Sequence, residues 1–230
     1  MWFRCLCVWG LALVVEAAPN PALAEVIQAL QTDWPKNHTI NFVCHGHSVP
    51  AGYFKTPEVH SDQAYPALWQ SGLRKAYPHA VLNVIVTAIG GENSVAGAAR
   101  FQRDVLSLRP TVVSIDYALN DRRAGLPAAK QAWTSMIVAA KAAGVKVILM
   151  TPTPDQSARW QEAQDPLGQH AQQIRALAEE HQVMLVDSLA FFQAKVASGT
   201  PLPSLMSQVN HPSAEGHALV AGGLMELFRP

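Results

Sequence analysis

The sequence predicts one α/β domain, a three-layer α/β/α sandwich in which helices cover both faces of a five-stranded parallel sheet. Two patterns carry this expectation. Strand and helix signals alternate after about residue 36 with short connections, as parallel crossovers require. The middle strands are nearly unbroken apolar runs, which suits strands buried on both faces. A chain of 230 residues that is 49% hydrophobic and 15% charged has the material for a single core of this kind.

The strands are expected at 38–43 (HTINFV), 81–87 (VLNVIVT), 111–117 (TVVSIDY), 145–151 (VKVILMT) and 183–186 (VMLV). Between them, Ala98, Phe101, Val105 and Leu108 recur at three and four residues, as do Ala129, Trp133, Met136 and Ala140. That spacing puts the apolar side chains on one helix face. Gly144 follows the second of these helices where a left-handed cap belongs. Further helices are expected over 167–181 and 213–228.

Residues 1–24 read as a secretory leader rather than as part of the fold. Arg4 precedes an apolar run over 5–15, and Ala17, Ala18, Ala22 and Ala24 follow, giving cleavage near Ala18 or Ala24. The domain is then 25–230, with a secreted or periplasmic location and no integral membrane span after processing. A retained anchor is the alternative, but the run is short for a bilayer. Cys5 and Cys7 leave with the leader, so Cys44 stands alone as a small buried apolar residue. With 17 basic and 17 acidic residues there is no electrostatic case for nucleic acid. Nothing fixes an oligomeric state.

In this architecture ligands bind beyond the carboxyl ends of the strands. The segments there read CHGHSVPAGY, AIGGENSVAG, ALNDRRAG and PTPDQSARW, with SQVNHPSAEGH before the last helix. An acyl-transfer site needs a nucleophile, a base and donors for an oxyanion. Ser48, in a Gly-rich turn after the first strand, suits the nucleophile, and His211 the base. Gly91 and Asn120 suit the oxyanion donors.

These four blocks, in this order, resemble the SGNH hydrolase superfamily of GDSL-type esterases over essentially the whole mature chain. GHSVPAG matches the first block, with Ser48 at the nucleophile position. IGGENS places Gly91 at the oxyanion glycine, ALND places Asn120 at the oxyanion asparagine, and QVNHPSAEGH makes His211 the catalytic histidine. The resemblance implies a flavodoxin-like fold, no cofactor, no metal, and ester hydrolysis through an acyl-serine.

Three departures stand out. His47 and Ala118 replace the family's usual acidic residue and glycine. Gln208 stands three residues before His211, where the family usually has aspartate. A triad carboxylate fixes the tautomer of the histidine, and a serine protease without it loses about 10⁴ in kcat. Gln208 is therefore a candidate for orienting His211, in a Ser–His dyad whose base a backbone carbonyl can hold. Asp155 and Glu215 are the substitute acids.

His45 and His47 form a His-x-His pair that can share a strand face, but a zinc site needs a further ligand and none is patterned here. The alternative makes His45 a packed loop residue and His47 a polar rim residue. His217 reads as a helix-face or capping residue, and Asp121 as structural. Trp69, Trp133 and Trp160 suit core or cleft, and a Trp160 placed near the active edge would suit sugar stacking. The expected substrate is a small-molecule or carbohydrate ester, above all an O-acetylated sugar. Alternatives are a lipase or lysophospholipase-like acylhydrolase, and a non-catalytic carbohydrate-binding relative.

Overall fold

A computed structural model describes residues 20–162 and 164–229. The leader expected over 1–24 falls largely outside them. Leu23, Val26, Ile27 and Leu30 are buried, so the packed fold begins slightly before residue 25.

Five parallel strands, β1 (Thr39–Gly46), β2 (Val81–Val86), β3 (Val112–Asp116), β4 (Lys146–Met150) and β5 (Met184–Val186), lie in the order β2-β1-β3-β4-β5. This is the expected α/β sandwich with flavodoxin-like order. The direction of winding reverses between β1 and β3, and in open sheets of this kind ligands bind at that point, beyond the strands' carboxyl ends.

Residues alternate between the two faces along each strand, so both faces carry apolar surface. On one face Phe42 packs edge-on against Trp69 at 5.1 Å and against Phe228 at 5.5 Å. Trp69 belongs to α3 (Tyr65–Ala76), which packs beside α9 (Ala214–Leu227) and α1 (Ala24–Leu30). On the other face Val43, Val113 and Ile115 meet Phe101 of α4 (Ser94–Asp104) and Trp133 and Met136 of α6 (Leu126–Ala142). Fully burying such a side chain stabilises by about 1.5–3 kcal/mol. The remaining helices are α2 (Ser48–Ala51), α5 (Ala118–Asp121), α7 (Pro166–His181) and α8 (Ser188–Ala197). A small antiparallel pair, β6 (Met206–Gln208) and β7 (His211–Pro212), precedes α9.

Three expectations need correction. The first strand runs on through Cys44–Gly46, so His45 is a strand residue and not a loop residue. His47 is fully buried rather than at the rim, because it caps α2. Trp160 is 6% exposed and packs in the core, so it has no open face for a sugar. Trp69 and Trp133 are core. Cys44 is buried, and burial pushes its thiol up to about 12, which leaves it inert.

Candidate active site

Ser48 is the first residue of α2, directly after β1. The turn is possible because position 46 has no side chain: a Cβ on Gly46 would lie 2.5 Å from the Asp116 carbonyl oxygen and 2.7 Å from Pro50. β1 and β3 therefore converge beneath Ser48, with Gly46 opposite Asp116.

His211 arrives from the β6–β7 hairpin, and its Nε2 lies 2.9 Å from Ser48 Oγ. The hairpin is tied to neighbouring loops. Gln156 N–H donates to the Val209 carbonyl at 2.7 Å, and Gln156 Nε2 donates to the Gln208 carbonyl at 3.1 Å. Burial holds the imidazole below its ordinary pKa, partly offset by the Phe54 carbonyl, so it is a neutral acceptor at pH 7.

The other ring nitrogen, Nδ1, has two neighbours: the Phe54 carbonyl oxygen at 3.1 Å and Gln208 Nε2 at 2.8 Å. Thr56 N–H holds the Gln208 oxygen at 3.0 Å, which turns the amide nitrogen toward the ring. For Nε2 to accept the Ser48 proton, the ring proton must sit on Nδ1, where only the Phe54 carbonyl can accept it. In that tautomer the two amide hydrogens of Gln208 have oxygen acceptors of their own, Thr56 Oγ1 and Asn210 Oδ1, each at 3.3 Å. Gln208 thus touches the histidine without supplying what a carboxylate would. Neither substitute acid does so. Asp155 binds Arg122 and Ser157, and Glu215 is exposed on α9.

The loop after β2 reaches the same place by continuing to pair with β1. Thr87 and Ile89 N–H donate to the Cys44 and Gly46 carbonyls, both at 3.0 Å. That holds the loop along the carboxyl end of β1 as far as Ile89, and Gly91 follows two residues on at φ +76°. Asn120 of α5 donates one amide hydrogen to the Glu92 carbonyl at 2.9 Å, which fixes the side chain and leaves the second hydrogen free. The Glu92 carboxylate takes the Arg100 guanidinium at 2.9 and 3.0 Å and the Tyr117 hydroxyl at 2.8 Å. Tyr117 also meets His45 Nε2 at 3.1 Å, and His45 Nδ1 meets Thr87 Oγ1 at 2.9 Å. Burial lowers His45 to about 4.

His45 is thus committed behind the loop while His47 faces Asp116, so the His-x-His residues do not converge on one point. Asp121 is structural, accepting the Ser94 N–H and the Trp133 indole N–H, each at 2.7 Å. His217 accepts the Tyr65 N–H at the start of α3, a capping role.

Ser48, His211, Gly91, Asn120 and Gln208 therefore gather at one end of the sheet. The Phe54 carbonyl and Glu92 were not foreseen, and a backbone carbonyl has no signature in a sequence. Beside Asn120 a cavity of about 440 Å³ opens, lined by Arg122, Arg123, Ser157, Asp165 and Asn210 among others. A second cavity, of about 460 Å³, lies at the opposite ends of the strands around Gly144 and Gln182, away from these groups.

The GDSL-like lipase/acylhydrolase family matches residues 44–219, which include every group named for the site. The chain belongs to this family. It is a carboxylic ester hydrolase of the SGNH/GDSL superfamily. An acetylxylan esterase from Geobacillus stearothermophilus is 27% identical over 161 residues, 65% of this chain and 73% of that protein. The structure of a catalytic mutant of an acetylxylan esterase from the same organism aligns with a TM-score of 0.70 at 22% identity, covering 86% of this chain and 96% of that one. A two-domain esterase active on acetylated mannans aligns with a TM-score of 0.73 at 20% identity, over 90% of this chain and 52% of that one.

Proposed function

We propose that this ester hydrolase removes short acyl groups, above all O-acetyl groups, from carbohydrates through an acyl-serine. The observation that carries the mechanism is the 2.9 Å approach of His211 Nε2 to Ser48 Oγ, with a carbonyl acceptor behind Nδ1. Ser48 Oγ attacks the ester carbonyl carbon as its proton passes to Nε2. The N–H groups of Ser48 and Gly91 and the free Asn120 hydrogen receive the oxyanion. Each such donor is worth about 3–4 kcal/mol in the transition state. Collapse breaks the bond to the alcohol, which leaves with the proton from His211. Water then gives a proton to Nε2 and attacks the acyl-serine, releasing the acid and restoring Ser48.

The catalytic mutants of the Geobacillus esterase replace a serine, an aspartate and a histidine. In this chain Gln208 stands three residues before His211, where the resemblance puts the aspartate, which favours a dyad held by Phe54. Two of the similar proteins named above act on acetylated polysaccharide, and the cavity beside Asn120 is lined by polar side chains suited to sugar hydroxyls. The leader in the sequence fits a secreted or periplasmic enzyme with polysaccharide within reach. The test is hydrolysis of 4-nitrophenyl acetate, butyrate and octanoate, and acetate release from acetylated xylo- and manno-oligosaccharides, beside Ser48→Ala. Serine-dependent turnover that is strongest on acetyl substrates is expected. Equal turnover by Ser48→Ala would refute the acyl-serine, and preference for octanoate would refute the substrate class.

A further inference from the structure

Ser48 has a second histidine beside it, which the steps above do not use. His47 Nδ1 accepts the Val49 N–H at 3.2 Å, capping α2, and lies 3.4 Å from Ser48 Oγ. A ring nitrogen that accepts a backbone N–H carries no proton, so the neutral ring has its hydrogen on Nε2. Nε2 faces Asp116 Oδ1 at 3.4 Å, with both side chains buried. Neither atom has a hydrogen-bond partner within normal range among the described residues. The other Asp116 oxygen accepts the Tyr65 hydroxyl at 3.3 Å.

A buried carboxylate oxygen whose nearest donor stands at 3.4 Å is costly, because desolvation is incompletely offset. Packing alone does not call for it, since apolar residues in place of both His47 and Asp116 would fill the space without that penalty. The pair does have a use at the nucleophile. The Ser48 hydroxyl has one proton and two nitrogen acceptors in reach, and in the resting site the shorter contact, to His211, takes it. When solvent protonates His211 in the resting enzyme, Ser48 keeps its proton and the bare Nδ1 of His47 is the acceptor that remains for it.

We propose that His47 is a positioning residue for Ser48, with its tautomer set by Asp116. The buried carboxylate keeps the ring proton on Nε2, which leaves Nδ1 to hold the first turn of α2 and to steady the Ser48 hydroxyl. This rests on the acyl-serine reading above.

The test uses a fluorophosphonate that reacts with activated serines, together with steady-state kinetics on 4-nitrophenyl acetate. His47→Asn keeps a side-chain oxygen able to cap Val49 N–H but loses the ring. It is expected to slow both labelling and kcat by about 10- to 100-fold, a loss on the scale of misplaced catalytic groups, with KM within about twofold of wild type. Nitrogen-15 NMR of the wild-type imidazoles provides a readout that does not depend on any variant folding. His47 is expected as the Nε2–H tautomer at neutral pH, and Asp116→Asn is expected to yield a mixture. Labelling of His47→Asn at the wild-type rate, or a wild-type His47 protonated on Nδ1, would overturn the proposal. Failure of the acyl-serine itself has a different signature: wild type unlabelled, and Ser48→Ala as active as wild type.

Discussion

The loop after β2 pairs with the end of β1 just before Ser48, the β6–β7 hairpin brings His211 to Ser48 itself, and the two are held in opposite ways. Behind the loop, Glu92, Arg100, Tyr117 and His45 form a buried network containing a full ion pair, with Arg100 8% exposed. The hairpin is held by neutral groups: the Phe54 carbonyl, the Gln208 amide and Gln156. Charge has been placed behind the loop that carries Gly91 and left out of the hairpin that carries His211. A buried ion pair fixes geometry rigidly but adds little net stability. A neutral cradle leaves the histidine free to gain and lose a proton without a strong bias. In the proposed mechanism the difference separates a part that must not move from a part that must change charge.

Substitutions that break this contrast should differ widely in effect. Ser48→Ala removes the hydroxyl that His211 meets, and kcat is expected to fall more than about 10⁴-fold, as removing a nucleophile does elsewhere. Arg100→Met strands the Glu92 carboxylate in the interior. It should cost about 3–5 kcal/mol of stability in denaturant unfolding, the penalty for an uncompensated buried charge. Turnover should fall with it, because the same loop carries Gly91.

The two sides also respond separately to acid. On the network side, His45 is depressed to about 4 by burial, as is His217 under α3. Below pH 6.5 the unfolded chain binds protons there that the folded chain does not. Stability present above pH 6.5 is therefore lost as pH falls toward about 4, and a series of melting curves should show it. On the base side, the lowered pKa of His211 puts the acidic limb of kcat/KM below pH 6.5. An acidic limb at or above that value would mean the histidine is not held as described.

The smallest expected effect sharpens the comparison most. Gln208→Glu is nearly isosteric and gives Nδ1 a charged acceptor at the position now 2.8 Å away. It is expected to raise kcat up to about tenfold and to move the acidic limb upward, since a neighbouring carboxylate favours imidazolium. Unchanged kcat and an unmoved limb would show that the Phe54 carbonyl already does all that is needed.

The fold was legible where apolar runs were continuous, as in 111–117 and 145–151, and the order of the blocks in sequence matched the sheet edge they occupy. Helix α3 was not anticipated, although Tyr65, Trp69 and Leu73 recur every four residues behind Pro66. At the candidate site, motif resemblance singles out Ser48, His211 and Asn120, and the distance to His211 singles out Gln208. His47 was misread because its partner is far away in sequence. Asp116 stands at the end of β3, and only the pairing of Gly46 with Asp116 brings the two together. Phe54 escaped notice because what it contributes to His211 is a main-chain atom.

That last point bears on how the enzyme tolerates change. A carbonyl is supplied by whatever residue occupies position 54, so alanine scanning will be blind to the group behind His211. What must persist is the path of the backbone, tied by Phe54 N–H to the Glu58 carbonyl at 3.0 Å and by the Ser207 hydroxyl donating to the Phe54 carbonyl at 3.1 Å. Exchanging the amide that follows Phe54 for an ester, which weakens the carbonyl as an acceptor, would reach the function that no side-chain substitution can delete. Drift at this position can be wide in letters and narrow in shape.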